Sequence, residues 1–453
     1  MPNEVDSINP TRRTGKRALP GRALILAGLL TVLPALSPAT AAVHAARSAA
    51  PAVVTVWDIQ QGVQQKEAMA QAAAFNKAHP DIKVQYEFFQ NDPYKTKLSI
   101  AIGAHQGPDI FMGWGGGILK TYVDAGAVAD LTSAFNGDMA WKSRYTPSVL
   151  GPVTFGGHVY GVPYNATTPE VIFYNKDIFK QYNLGIPTTW PQLEHVITTL
   201  QSHNLIPFAL DGKSEWPEMM ILQYLADRIG GSSALNDIAL RKAGASFNSP
   251  AWISAFTQAQ AMVKENAFEN GFSSFNYDTN DGGQLFYSSR AAMMFMGVWQ
   301  IGNAQTNAPK FLPKMGFFPV PAVPGGKGNV NDIVGVPANY YSLSSTSKNQ
   351  AAAIEFLKTQ LNPGFSSWVL SQGQVPPVQK LDSSKISDPL VKAQVALLAK
   401  APSYQLALDQ LLPPQLAQSF LNLTGSLFAL SITPQQFATQ MQAKTAAYFA
   451  AHH

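Results

Sequence analysis

The sequence contains no cysteine. That excludes disulfides, thiolate metal sites, a thiol nucleophile and a lipid-modified N-terminal cysteine. Charge is scarce too. Asp, Glu, Lys and Arg make up 13% of the chain, about half the usual share of roughly 25%. The surface must lean on Gln, Asn, Ser and Thr, which suit a neutral, hydroxylated ligand better than a polyanion. The formal net charge of +4 lies in residues 1–50, where Arg12, Arg13, Lys16, Arg17, Arg22 and Arg47 oppose only Glu4 and Asp6. The remainder is close to neutral, so no nucleic-acid partner is expected. The eight histidines are scattered without a His-Glu-x-x-His pair, and neither metal nor cofactor is expected. Lys120-Thr121 follows glycines without the phosphate-loop spacing, and no Gly-x-Ser-x-Gly elbow is present.

The 453 residues leave room for two lobes with full cores. At the start, the basic segment Arg12–Arg22 precedes the apolar run Ala23–Leu36. Small residues follow, with Ala39-Thr40-Ala41 as a cleavage site. This is a secretory signal-peptide pattern over residues 1–41, with cleavage as late as residue 50 also compatible. The apolar run is short for a membrane span. Export to the periplasm or cell exterior is the expectation.

Beyond the leader, strand and helix patterns alternate. Val53–Trp57 is a β-branched strand; residues 64–78 carry apolar groups at helical spacing and stop at His79-Pro80. Ile82–Phe88 alternates as a strand, and residues 93–104 read as a helix. Ile110–Met112 is then a short apolar strand. The order β-α-β-α-β-α indicates parallel pairing under helices. Residues 153–160 read as a hairpin that leads into Val171–Phe179, with a short helix starting at Asp177. Thr189 caps a helix begun at Trp190-Pro191, Ile206–Leu210 is a strand, and Trp216 opens a helix running to Ile229. Residues 251–265 are helical, Ala291–Met296 is an apolar strand, Gly316–Pro321 an irregular connector, and Ile333–Leu343 one strand. Residues 349–361 and everything beyond Pro389 read as helical.

Two places repeat one device: an apolar strand, glycine, then tryptophan. The first is Ile110–Gly113 followed by Trp114 and Gly115, Gly116 and Gly117. The second is Ala291–Met296 followed by Gly297-Val298-Trp299. Each puts an indole beyond the carboxyl end of a strand, where open α/β sheets bind ligands. The glycines at 115–117 are expected to leave the indole face uncovered and let a ligand approach the backbone.

With these motifs in chain order, the sequence resembles the extracellular solute-binding proteins of carbohydrate ABC importers, the maltose- and multiple-sugar-binding type. The resemblance rests on Val54–Trp57, Gly107–Phe111 with Trp114, and Gly161–Pro163 before Ile172–Phe179. It continues through Thr189-Trp190, Ala291–Phe295 with Gly297–Trp299, Ala352–Leu357 and Gly373–Pro376. It implies an α/β, type II two-lobed fold in which each lobe is a mixed, mainly parallel sheet flanked by helices. Hinge segments would cross near Asn165, Val334–Tyr340 and Val375–Pro377. The lobes would be residues 51–164 plus 337–377 and residues 165–336 plus 378–453. It further implies a sugar or oligosaccharide ligand stacked on Trp114 and Trp299, ABC permease transmembrane subunits as partners, and a monomer. One departure stands out: the maltose-binding group has a stacking aromatic near its C-terminus, where Pro413–Phe420 is mostly aliphatic here.

A sugar offers apolar C–H faces, which an indole covers, and an equator of hydroxyls, which amides and carboxylates satisfy. The candidate ligand-binding residues are Trp114, Trp299, Trp216, Trp57, Asp58, Asn165 and Asn339. Trp190, Trp252 and Trp368 lie in helical patterns and are assigned to cores. No catalytic residue is assigned. The alternative is an exported carbohydrate-active enzyme pairing Asp58 with Glu215 or Glu218.

Overall fold

The computed structural model describes residues 50–381, 384 and 386–452; the leader expected at residues 1–41 lies outside them. Thirteen strands occur among the described residues. In chain order they are β1 (Ala52–Asp58), β2 (Ile82–Phe88), β3 (Ile110–Gly113), β4 (Thr154–Phe155), β5 (His158–Val159), β6 (Val162–Pro163) and β7 (Thr168–Asn175). Then come β8 (Ile206–Ala209), β9 (Ala291–Gly297), β10 (Met315–Phe318), β11 (Ile333–Val336), β12 (Tyr340–Leu343) and β13 (Tyr404–Leu406). They form two main sheets. One has the order β2-β1-β3-β12-β6; the other has β13-β11-β7-β9-β8, with β10 also paired to β7.

The first sheet begins as the sequence suggests. Helices α1 (Gly62–Ala78), α2 (Asn91–Gly103) and α3 (Gly116–Asp124) alternate with β1, β2 and β3, and β1 pairs in parallel with both neighbours. The strands beside the hinge break that pattern. β12 enters from the other sheet and runs against β3 and β6. In the second sheet β7 is antiparallel to β9, β10 and β11, and only β8–β9 and β11–β13 are parallel. Both sheets are mixed, but the second is not mainly parallel. The reason is topological. β7 carries the chain out of the first sheet and β11 carries it back, so neighbours at the crossing have opposite directions.

Each sheet has its own core. Val54, Val56, Ile110, Phe111, Met112, Tyr340, Tyr341 and Phe356 belong to one buried cluster. Ile172, Phe173, Phe208, Met293, Met294, Phe295, Phe256 and Leu408 belong to another. No buried side chain is shared between them, which defines two lobes. Trp190 and Trp252 are buried in the second core, and Trp368 packs at the rim of the first, stacked on Phe365.

The segments joining the lobes lie side by side. The Tyr164 N–H donates to the Asn339 carbonyl at 3.0 Å, and the Thr167 N–H donates to the Val375 carbonyl at 2.8 Å. Pro337 interrupts what reads as one strand from 333 to 343. It splits the run into β11 and β12, one in each sheet, as a residue without an N–H must. Two further differences are strands rather than packing changes. Met315–Phe318 extends the second sheet as β10, ending before Pro319. The three-residue β13 interrupts the C-terminal helices.

Candidate functional site

Between the lobes lies a cavity of about 370 Å³. Its wall on the second lobe is aromatic. Trp216 opens the helix Trp216–Gly230, and its ring centroid lies 4.6 Å from that of Tyr277, edge to face, and 6.1 Å from that of Trp299. Trp299 stands just past β9 and caps the helix Gln300–Asn307. Its indole folds back over Gly297: a Cβ there would sit 1.9 Å from Trp299 Cζ3. The glycine two residues before the tryptophan therefore makes room for the ring itself. Trp114 lies just past β3 on the opposite lobe, edge to face with Tyr94 and with Lys95 Nζ 5.7 Å from its ring centroid.

The three glycines after Trp114 serve a different end from the one the sequence suggests. A Cβ on Gly115, where φ is +82°, would meet the Pro152 carbonyl oxygen at 2.8 Å. One on Gly116 would meet the Gln410 carbonyl oxygen at 2.4 Å, and one on Gly117 that of Leu411 at 2.2 Å. Gly116 and Gly117 permit backbone-to-backbone packing of α3 against the other lobe, and Gly115 packs against Pro152 of its own lobe, rather than all three serving ligand approach.

The cavity's remaining lining is mostly amide. Asn165, Asn339 and Gln374 come from the hinge segments, Gln60 and Gln64 from the loop after β1 and the start of α1, and Gln410 from near the C-terminus. Among the buried polar atoms without a partner in the lining are Trp216 Nε1 and Gln410 Oε1. They offer one donor and one acceptor, the complement of a hydroxyl. Gln410, Gln374, Tyr277 and Asn303 were not foreseen; an isolated amide in a loop or short helix carries no local pattern.

Five of the seven residues singled out in the sequence line this one cavity: Trp114, Trp216, Trp299, Asn165 and Asn339. Trp57 and Asp58 do not. The Trp57 ring packs edge to face on Phe89 and under Lys97 Nζ, 4.5 Å above it. Asp58 is 0% exposed. Its carboxylate accepts from the Tyr341 and Tyr164 hydroxyls and from the N–H groups of Ile59 and Gln60. Both tyrosines are held protonated by burial and by the carboxylate beside them. Asp58 thus ties β1 to β12 and to the hinge, which explains an acid at a strand end without a ligand. The pairing of Asp58 with Glu215 or Glu218 lacks an accessible partner on the Asp58 side.

The electrostatics favour no anion. Glu170, Asp278 and Asp409 line the cavity against a single cation, Lys95. Burial pushes Glu170 up to about 8, although Gln223 donates to both its oxygens. Asp409 is raised by burial, and Asp278 by burial and by Asp92. Among the described residues no group of side chains is placed to hold a metal ion, and no helix is long and apolar enough to cross a membrane.

Two lobes around a cleft walled by indoles and amides define a receptor-type fold. The chain belongs to the bacterial extracellular solute-binding protein family, which it matches over residues 59–365. A solved structure from work on xylan utilization by the thermophilic bacterium Caldanaerobius polysaccharolyticus is similar over 86% of this chain and 99% of its own, with 31% identity and a TM-score of 0.80. The maltotriose-binding protein of Pyrococcus abyssi is 24% identical over 75% of this chain and 68% of its own. The sn-glycerol-3-phosphate-binding periplasmic protein of Salmonella typhimurium is 26% identical over 64% of each. The chain spans little more than half the length of other curated relatives, 56% and 58% of two ABC transporter extracellular-binding proteins from Pyrococcus horikoshii.

Proposed function

We propose that this protein captures a neutral sugar or short oligosaccharide between its lobes and delivers it to the transmembrane subunits of an ABC-type permease. The observation that carries the reading is the cavity itself, with Trp114 on one lobe, Trp216 and Trp299 on the other, and amides between them. The indoles would cover the C–H faces of the ring, and Asn165, Asn339, Gln374 and Gln410 would pair its hydroxyls. A hydroxyl buried without a partner costs about 1–3 kcal/mol, so the amides would set specificity.

The cavity holds three acidic side chains and one lysine, without a cluster of cations to pair a phosphate, so a phosphate-bearing ligand such as sn-glycerol 3-phosphate would be disfavoured. A neutral glycan such as a xylo- or malto-oligosaccharide fits the same wall. On this reading the lobes divide at residues 164–167, 337–339 and near 375, and rotate about those segments between open and closed forms. The protein would act outside the cytoplasm as a monomer after removal of its leader, without turning its ligand over. Calorimetric titration with xylo-oligosaccharides, malto-oligosaccharides and sn-glycerol 3-phosphate tests this. Saturable binding of a neutral glycan with no product supports it; binding of the phosphate alone, or release of product, overturns it.

A further inference from the structure

The indole of Trp114 is a partition. On its far side lies a second cavity of about 270 Å³. It is enclosed by Leu98 of α2, Phe111 of β3 and Ile118 of α3 on one lobe, and by Leu421 of the helix Pro414–Phe428 on the other. Trp114, Lys95 and Asp409 line both cavities, so the two spaces meet along one wall. Their chemistry differs sharply. The first is rich in amides, whereas the second is dominated by aliphatic and aromatic side chains, with Thr96, Ser99 and Gln418 among its few other polar lining residues. An apolar cavity of about 150 Å³ lined by Leu, Ile and Phe already takes up benzene.

We infer that this second cavity is a subsite for an aryl aglycone, and that the protein favours aryl glycosides over the corresponding simple sugars. The sugar occupies the amide-lined cavity, and the aromatic substituent passes the edge of Trp114 to lie among Leu98, Ile118 and Leu421. Trp114 offers a ring face and edge suited to an aromatic guest. The space is bounded by both lobes, so a guest there contacts each of them. The inference rests on the sugar-binding reading above.

The test compares methyl and phenyl glycosides of xylose, glucose and galactose, in both anomers, by calorimetry. The protein is taken as wild type, Leu421→Trp and Ile118→Trp. Neither substituted residue lines the sugar cavity, and each added indole would fill the apolar one. In the wild type the phenyl glycoside of a bound sugar should bind about tenfold tighter or more than its methyl counterpart, as burial of an aromatic ring predicts. Either substitution should erase that advantage while leaving methyl-glycoside affinity within about twofold. Should Leu421→Trp lower the melting temperature severely, Ile118→Trp carries the test from the other lobe. Equal affinity for phenyl and methyl glycosides in the wild type overturns the inference and leaves the sugar site standing. So does a phenyl advantage that survives both substitutions. If no glycoside or oligosaccharide binds, the sugar-binding reading fails first and the subsite with it.

Discussion

Gly297 and Trp299 act as a pair. Any side chain at 297 would overlap the indole that folds over it, so Gly297→Ala should push the ring out of place without cutting it away. Trp299→Ala should weaken binding of the preferred sugar by at least about tenfold, since an indole face is the main apolar contact on that lobe. Gly297→Ala should weaken it by a smaller factor. In both, the melting temperature should stay within a few degrees; unchanged calorimetric affinity in both would remove Trp299 from the site. The three cavity tryptophans were legible because each follows a turn at the end of a strand, or opens a helix, with little else to explain a large aromatic there. Gln410 and Gln374 were illegible, because an amide is as much at home on a solvated loop as in a cleft. Asp58 was misread. The sequence shows an acid at a strand end, but not that Tyr164 and Tyr341 converge on it from about 100 and 280 residues away.

At the scale of elements, the short apolar helices and strands were mostly visible from their periodicity, and the discrepancies have clear causes. Pro337 divides a β-rich run between two sheets. Pro319 and Pro321 mask β10, and β13 has only three residues, too few to show a period. One contact between elements could not be foreseen, because it joins the lobes. The Asp278 carboxylate, in the short helical turn Tyr277–Thr279, faces the start of α2. It accepts from the Asn91 N–H at 3.3 Å and the Asp92 N–H at 3.5 Å. An anion is favourable at a helix N-terminus, and the bonds are long and modest. Asp278→Ala should therefore loosen the closed form: affinity should fall roughly two- to tenfold, and small-angle scattering of the unliganded protein should shift toward a larger radius. An unchanged scattering profile would mean that this contact does not hold the lobes together.

For the whole molecule, buried carboxyl groups set a pH dependence. Burial raises Asp58, Asp211 and Asp227 to about 6, Glu170 and Glu269 to about 8, and Glu218 to about 9. In the unfolded chain these groups titrate near roughly 4. Between those values the folded form holds more protons than the unfolded one. The stability they contribute is thus complete below about pH 4 and is lost as pH rises through 6 to 9. The melting temperature should be higher at pH 5.5 than at pH 8.5. Glu218, 1% exposed with Oε2 unpartnered, should carry part of the slope. Glu218→Gln should raise the melting temperature more at pH 8.5 than at pH 5.5, because the cost of keeping Glu218 protonated grows with pH between about 4 and about 9; a parallel shift at both values would contradict this assignment.

The two-lobed plan was readable from the order of motifs along the chain, because those at Trp114 and Trp299 sit where a strand meets the cleft. The ligand was not readable, since it depends on which amides converge across distances the sequence does not encode. The most direct test of the central claim is a fluorescence and calorimetric titration of the exported protein with neutral oligosaccharides, repeated on Trp114→Ala/Trp299→Ala. The account predicts one saturable site in the wild type, with a change in tryptophan emission on binding, and no detectable binding in the double variant. A double variant that keeps its fold and binds with wild-type affinity would contradict it.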